Sequence, residues 1–375
     1  MSIPAVEVQL NRLRLFWRRR RAETLRAAAM AGPFTGSGPR LLLVTQPERI
    51  PQSQIFPFHH YAADLKRLYG AEVREADVWD VLKGVVPPAT GASVVAFQTP
   101  FDIADGDLTR LVALLRAQNP GARIVALDWF APTDLRNAAR MDGLVDLYVK
   151  KHLLRDRGLY GRPTLGDTNL TDHYNRRFGI PEPEQCFAIP DGFLDKVILG
   201  PSFATAPMIL PALLGRRPRG ARPIDLHARF ATGGTPWYAG MRGESEAALG
   251  QVPELTVLRG EGVPLPRFMV EMARSKLCFS PFGYGEVCWR DYEAIAAGAV
   301  LLKQDMAHVQ TDPDIFVPWE TYVPLRWDLS DFQDTVRRLA ADSALRDRIA
   351  GQAFGVLHDW LRSDRFARAM APLFD

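Results

Sequence analysis

Cysteine is scarce in this chain. Cys186, Cys278 and Cys288 are odd in number and show no CxxC spacing, which argues against a disulfide framework or a structural zinc site and suits a reducing compartment. Net charge is also small, +3 over 375 residues. The body of the chain shows neither a strong basic stripe nor an aromatic RNA-reading motif, so nucleic acid is not an expected partner. There is no run of 18 or more uncharged apolar residues and no apolar leader followed by a small-residue cleavage site, so neither a membrane span nor a secretory signal is expected. These absences point to a cytoplasmic protein.

What is present is ordinary globular composition, 47% hydrophobic and 24% charged, in a chain long enough for two domains of roughly 150 residues each. Residues 1–38 form a basic prelude. Leu10, Leu13 and Trp17, with Phe16 beside them, fall at helical spacing among Arg12, Arg14 and the run Arg18 to Arg21. Two readings stay open for this segment: a foot on an anionic membrane surface through residues 10–21, peripheral on the inner face, or an extra helix packed on the first domain.

From residue 39 onward, apolar runs of strand length alternate with helical patterns. Strands are predicted at 41–45, 71–78, 93–98, 123–128 and 146–149, with helices at 53–69, 105–118 and 132–141. Such alternation indicates βαβ units and a parallel sheet covered on both faces. Residues 151–200 read as less regular, and 207–222 as a Pro/Arg/Gly-rich linker. The alternation then restarts with strands at 224–230, 255–259, 277–280 and 300–303 and helices at 238–249, 266–274 and 289–297. Beyond residue 329, Phe332, Val336 and Leu339 share one helix face. The expected fold class is therefore α/β, with two Rossmann-like doubly wound domains, at 39–206 and 223–358, facing across a cleft. A final helix at 359–375 is expected to cross back to the first domain.

The densest chemistry lies in Ser280-Pro-Phe-Gly283-Tyr284-Gly285-Glu286-Val-Cys-Trp-Arg290-Asp-Tyr-Glu293-Ala-Ile-Ala-Ala-Gly298. A buried strand ends in a glycine loop that feeds a helix. Gly283 and Gly285 admit positive φ or a close backbone approach, and the helix aims its positive end at the loop, as phosphate binding requires. Arg290 and Glu293 share one helix face. Arginine can grip phosphate oxygens with paired donors, and a carboxylate can accept ribose hydroxyls.

This segment, roughly 270–350, resembles the donor-binding segment of GT-B-type glycosyltransferases, in particular the group 1 and exostosin-like families. The resemblance implies a metal-independent transferase without a cofactor, whose co-substrate is a nucleotide diphosphate sugar. It further implies that Glu293 binds the ribose and Arg290 the diphosphate, with Gly283, Tyr284, Gly285 and Glu286 completing the donor loop. Many retaining members separate two glutamates by seven residues, whereas six separate Glu286 from Glu293, so the resemblance assigns neither stereochemical class. The acceptor it implies is a glycan, lipid-linked or other cell-surface polysaccharide precursor, held by the N-terminal domain.

In such an arrangement, groups at the carboxyl ends of strands face the cleft. His59 and His60 are candidate bases, and Asp128, beside Trp129, is a candidate base or acceptor contact. Gln46, Lys150 and Lys151 are acceptor-side candidates. Arg229 and, less favoured, Lys303 are candidates to stabilise charge on the leaving diphosphate. Two other functions fit the same layout: a sugar-nucleotide epimerase, which would convert donor without acceptor, and a non-enzymatic two-lobed binding protein.

Overall fold

The computed structural model describes residues 3–375; Met1 and Ser2 of the predicted extension lie outside the described residues. Two parallel sheets form the two lobes. The first contains β1 (Arg40–Thr45), β2 (Glu72–Asp77), β3 (Val94–Phe97), β4 (Arg123–Asp128), β5 (Leu147–Lys150) and β6 (Val197–Leu199), in the spatial order β2-β1-β3-β4-β5-β6. The second contains β7 (Ile224–Ala228), β8 (Val257–Arg259), β9 (Ser275–Phe279), β10 (Val300–Gln304) and β11 (Val323–Leu325), in the order β8-β7-β9-β10-β11. Leu41 to Val44 and Leu301 to Leu302 are buried throughout rather than alternately, as expected of strands with helices on both faces. In each sheet the order reverses beside the first strand. The crevices outside Thr45/Phe97 and outside Ala228/Phe279 are thus the places where such sheets take ligands.

Helix positions follow local signals with three instructive departures. The helix α4 (Asp105–Gln118) has Asp105 and Asp107 in its first turn and Arg116 in its last, and buries Leu108, Leu111, Val112 and Leu115, each charge matching the helix dipole. The predicted 53–69 helix is instead two, α2 (Gln52–His60) and α3 (Ala62–Tyr69), broken at Tyr61. Pro57 lies inside α2 and has no N–H for the Ser53 carbonyl; that carbonyl accepts from the Thr205 hydroxyl at 3.1 Å. Of the predicted 132–141 helix only Ala138–Met141 forms, because Thr133 is drawn to Glu286 of the other lobe and Asp134 to Arg136. The 151–200 segment is more ordered than its sequence suggests. It contributes β6 and α5 (Asn169–Phe178), capped by a reciprocal Thr168–Thr171 pair and closed by Gly179 at φ 62°.

The second lobe is covered by α6 (Pro236–Leu249), α7 (Leu265–Ala273) and α8 (Trp289–Ala296), followed by α9 (Phe332–Ala341), α10 (Ser343–Arg362) and α11 (Arg365–Ala369). Phe332, Val336 and Leu339 of α9 are all buried, each contributing about 1.5–3 kcal/mol by removal from water. The chain end returns to the first lobe. The Tyr61 hydroxyl donates to the Leu361 carbonyl at 2.6 Å, and Phe366 stacks on Tyr61 with ring centroids 5.2 Å apart.

The N-terminal helix α1 (Ala5–Met30) is longer than its apolar pattern alone indicated and spans both lobes. Asn11 donates to the Pro266 carbonyl at 3.0 Å and Glu7 lies 3.1 Å from Arg274 in the second lobe, while Arg26 meets Glu75 of β2 at 2.6 Å. Among the described residues no helix is long and apolar enough to cross a membrane.

Candidate functional site

The segment 280–298 folds as a strand end, a loop and α8. Asp291 shapes it. Its carboxylate accepts from the Ser280 hydroxyl at 2.6 Å and from the Cys288 amide at 2.8 Å, fixing the entry to α8 by the capping logic of an acid at the third helical position. Gly285 is not at positive φ. A β-carbon there would overlap the Ala131 carbonyl of the first lobe, so this glycine permits a close approach of the two lobes.

Two turns of sequence converge above the switch point of the second sheet. One is the loop 280–288. The other, missed by sequence reasoning, is Arg229 to Thr235, which carries Gly233-Gly234 into the Pro236 start of α6. It obeys the same phosphate-loop grammar, strand to glycines to helix N-terminus, and could have been read from it. Tyr284 joins the two loops: its ring stacks on Tyr238 at 4.5 Å, and its hydroxyl accepts from the Thr235 amide at 3.2 Å.

Between these loops lie three nitrogen-bearing side chains with unmet bonding capacity. Arg242 is buried, and its Nε and Nη1 have no hydrogen-bond partner among the described residues. The same holds for Arg290 Nε and for both ring nitrogens of His227. Burial, together with the charges of Arg290 and Arg229, pushes the His227 imidazole down to about 3, leaving it a neutral donor at ordinary pH. Burial also lowers Arg242, with repulsion from Arg290 adding to it. Such groups cost about 1–3 kcal/mol each when unsatisfied, and together they suit an anion. Arg242 and His227 escaped the sequence reading because nothing local marks them.

A cavity of about 740 Å³ opens beside this cluster, lined by Val263, Leu265, Phe268, Trp289 and Glu293 of the second lobe and by Glu48 to Pro51 and Trp129 of the first. Glu293 is nearly buried there. Burial raises its carboxyl, against the pull of Arg290 and Arg49, and its ion-pair contact is Arg49 at 3.9 Å across the cleft. Glu286 lies deeper, 3.5 Å from His308 and bonded to the Thr133 hydroxyl.

Most of the remaining candidates are engaged by protein partners, whereas Lys151 Nζ is buried with no hydrogen-bond partner among the described residues. Arg229 is held by Glu271 at 2.5 Å and by the Arg259 carbonyl. Lys303 is fully buried, 3.2 Å from Asp291. Asp128 accepts from Lys150 at 2.7 Å, from Tyr148 at 2.5 Å and from the Phe130 amide at 2.9 Å. Lys151 is buried over the Phe203 ring at 4.1 Å and does not form a basic edge. Gln46 bonds to the Thr99 carbonyl at 2.6 Å. His59 turns to buried Glu75 at 2.6 Å, and His60 packs on Tyr61 near Arg21 and Asp64. Two Asp-x-Asp triplets, Asp105-Gly106-Asp107 and Asp312-Pro313-Asp314, also lie away from the cluster: the first starts α4, and in the second Asp312 accepts from Trp360 while Asp314 pairs with Arg155.

No protein-family model and no curated protein matches the chain. Among solved structures, an alpha-glucosyltransferase (AGT) in complex with UDP is similar with a TM-score of 0.52 at 8% identity, over 90% of this chain and 100% of its own. The alpha-glucosyltransferase in complex with UDP-glucose and DNA containing an abasic site gives 0.52 at 10% identity, over 91% and 100%. The chain thus has the two-lobed GT-B architecture. The likeness reaches that class and not the exostosin-like group within it.

Proposed function

We propose that the protein is a glycosyltransferase that moves a sugar from a nucleotide diphosphate sugar to a glycan, lipid-linked or other cell-surface precursor acceptor. One observation carries this reading: Arg242, Arg290 and His227 leave hydrogen-bonding capacity unmet beside a cavity whose wall bears Glu293. In this reading the diphosphate lies among the three nitrogen-bearing groups and the start of α6. The ribose hydroxyls meet Glu293, and the base lies against Leu265 and Phe268. Positive charge fixed there before the reaction stabilises the growing charge of the leaving diphosphate, in a mechanism without a catalytic metal.

The test is a thermal-shift screen over nucleoside diphosphates and nucleotide sugars, since a ligand that binds only the folded state stabilises it by mass action. At least one should raise the midpoint, and Arg290→Ala and Glu293→Ala should each weaken its binding roughly 10- to 100-fold, as for hydrogen bonds to charged groups, with the unliganded fold intact. A panel without any stabilising nucleotide would sink the proposal. Conversion of donor in the absence of acceptor would make the enzyme an epimerase, and binding without turnover a two-lobed binding protein.

The reading includes work at an anionic membrane surface. Val6, Leu10, Leu13 and Trp17 are 70%, 50%, 56% and 67% exposed on one face of α1, a stripe no lobe covers. Arg14, Arg20 and Arg21 flank it at helical spacing, and Arg20 sits over the Phe16 ring. Apolar residues bordered by arginines on an outward helix face complement anionic lipid.

A further inference from the structure

A second cavity, of about 420 Å³, lies between the 154–189 segment of the first lobe and the loop around Trp327 of the second. That volume falls within the roughly 300–1,000 Å³ of small-molecule sites. Resting on the transferase reading above, we infer that this cavity is the acceptor subsite and that it takes a neutral, hydroxyl-rich saccharide unit.

Position is the first argument. The segments that wall the donor cavity at Trp129 and at Trp289 to Glu293 continue to this second cavity, one directly at Asp134-Leu135, the other through the contact of Glu286 with His308, a lining residue. An acceptor seated here would approach the donor from the Glu286 side.

Unmet bonding capacity is the second. Glu286 Oε1 and His308 Nε2, 3.5 Å apart, are both buried without a hydrogen-bond partner among the described residues. Burial alone would raise Glu286, yet His308, His152 and Thr133 hold its carboxyl down to about 2, so it is an ionised acceptor at neutral pH. His308, which lines the cavity, is the member of the pair that a sugar hydroxyl meets, with Glu286 directly behind it.

The walls supply the third. Leu154, Tyr160, Phe187, Ile189 and Trp327 are apolar or aromatic, matching the C–H faces of a sugar ring. Trp327 is held ready: its indole N–H donates to the Asp305 carbonyl at 3.0 Å and its ring stacks with Tyr174. Around them stand Asp134, Asp167 and Asp172, with Arg162 also in the wall. Arg136 braces Asp134 and Asp167, and Arg176 braces Asp172. Fixed by these arginines, the carboxylates present acceptor oxygens to hydroxyl protons, the chemistry that a hydroxyl-rich neutral sugar meets.

Saturation-transfer NMR on the full chain tests this with methyl α-glucopyranoside, methyl β-galactopyranoside and maltose against glucuronate and glucose 6-phosphate. At least one neutral probe should bind and the two anions should not. Phe187→Ala should weaken that binding about 10-fold or more. Asp167→Lys, a surface change less exposed to folding failure, should weaken it and admit glucuronate. The inference is overturned if no neutral probe binds, if the anions bind the parent equally well, or if both variants behave like the parent. The donor reading is scored separately by nucleoside diphosphate thermal shift on the same samples. A nucleotide shift without saccharide binding rejects only the acceptor site, whereas saccharide binding without a nucleotide shift rejects the transferase reading and with it the acceptor role, leaving the cavity a saccharide site.

Discussion

Gly285 rests with its α-carbon against the carbonyl of Ala131, so close that no β-carbon could be accommodated. The two residues belong to different lobes, and their contact fixes how near the 280–288 loop comes to the first lobe. Backbone cannot yield as the end of a flexible side chain can. Gly285→Ala should therefore push the loop and lobe apart, at a cost of about 1–3 kcal/mol, the range for overpacking. Urea denaturation measures the loss, and small-angle scattering should register a more open particle. An unchanged midpoint and radius of gyration would show that the loop relaxes without moving the lobe.

Arg242 is a case in which stability and function pull in opposite directions. Its buried guanidinium lies over the Phe230 and Tyr238 rings and lacks hydrogen-bond partners for Nε and Nη1. Arg242→Met keeps the bulk beside Phe230 and Tyr238 and should raise unliganded stability by on the order of 1–3 kcal/mol, while abolishing the nucleotide-induced thermal shift. A variant that is less stable yet still shifted by nucleotide would make Arg242 a packing residue.

Lys151 offers a pH test. Burial, with repulsion from Lys150, lowers its ammonium to about 7 against the pull of Asp128. A folded value below the unfolded one means that the contribution to stability is fully present above the unfolded value near 10.5 and is lost as pH falls through about 7. Lys151→Met removes that penalty. It should stabilise most at pH 6 and progressively less toward pH 10, as read by denaturation midpoints at a series of pH values. A gain independent of pH would mean the ammonium is not the group responsible.

The outward stripe of α1 makes a separable prediction. Leu13→Asp with Trp17→Asp should cut co-sedimentation with vesicles containing phosphatidylglycerol by at least about 10-fold, given roughly 1 kcal/mol per basic residue and the apolar area lost. Nucleotide-induced stabilisation should be unaffected. Parent protein that binds neutral phosphatidylcholine vesicles as strongly, or fails to bind either, would refute the membrane foot.

Much of the fold was legible locally. The apolar runs at β1, β4 and β10 and the acid-to-base polarity of α4 are short-range signals, and the chain obeys them. Where prediction failed, distant partners intervened. Thr133 gives up a helix for Glu286, and β6 is a three-residue strand that exists because the edge of β5 receives it. The site divides in the same way. Gly283, Tyr284, Gly285, Arg290 and Glu293 are contiguous, so one strand-loop-helix unit displays them in any context. His227, Arg242 and His308 come from three further elements and carry no local mark.

The order of residues thus determined two βαβ lobes, a glycine loop before an Arg/Glu helix, and a basic amphipathic start, because hydrophobic period, glycine and charge act over a few neighbours. Only tertiary structure decided which charged groups were neutralised and which were left waiting. Asp128 found Lys150 and Arg229 found Glu271, whereas Arg242 and Glu286 kept unmatched atoms. Pairing depends on distances across the packed core, and those are set by every element at once.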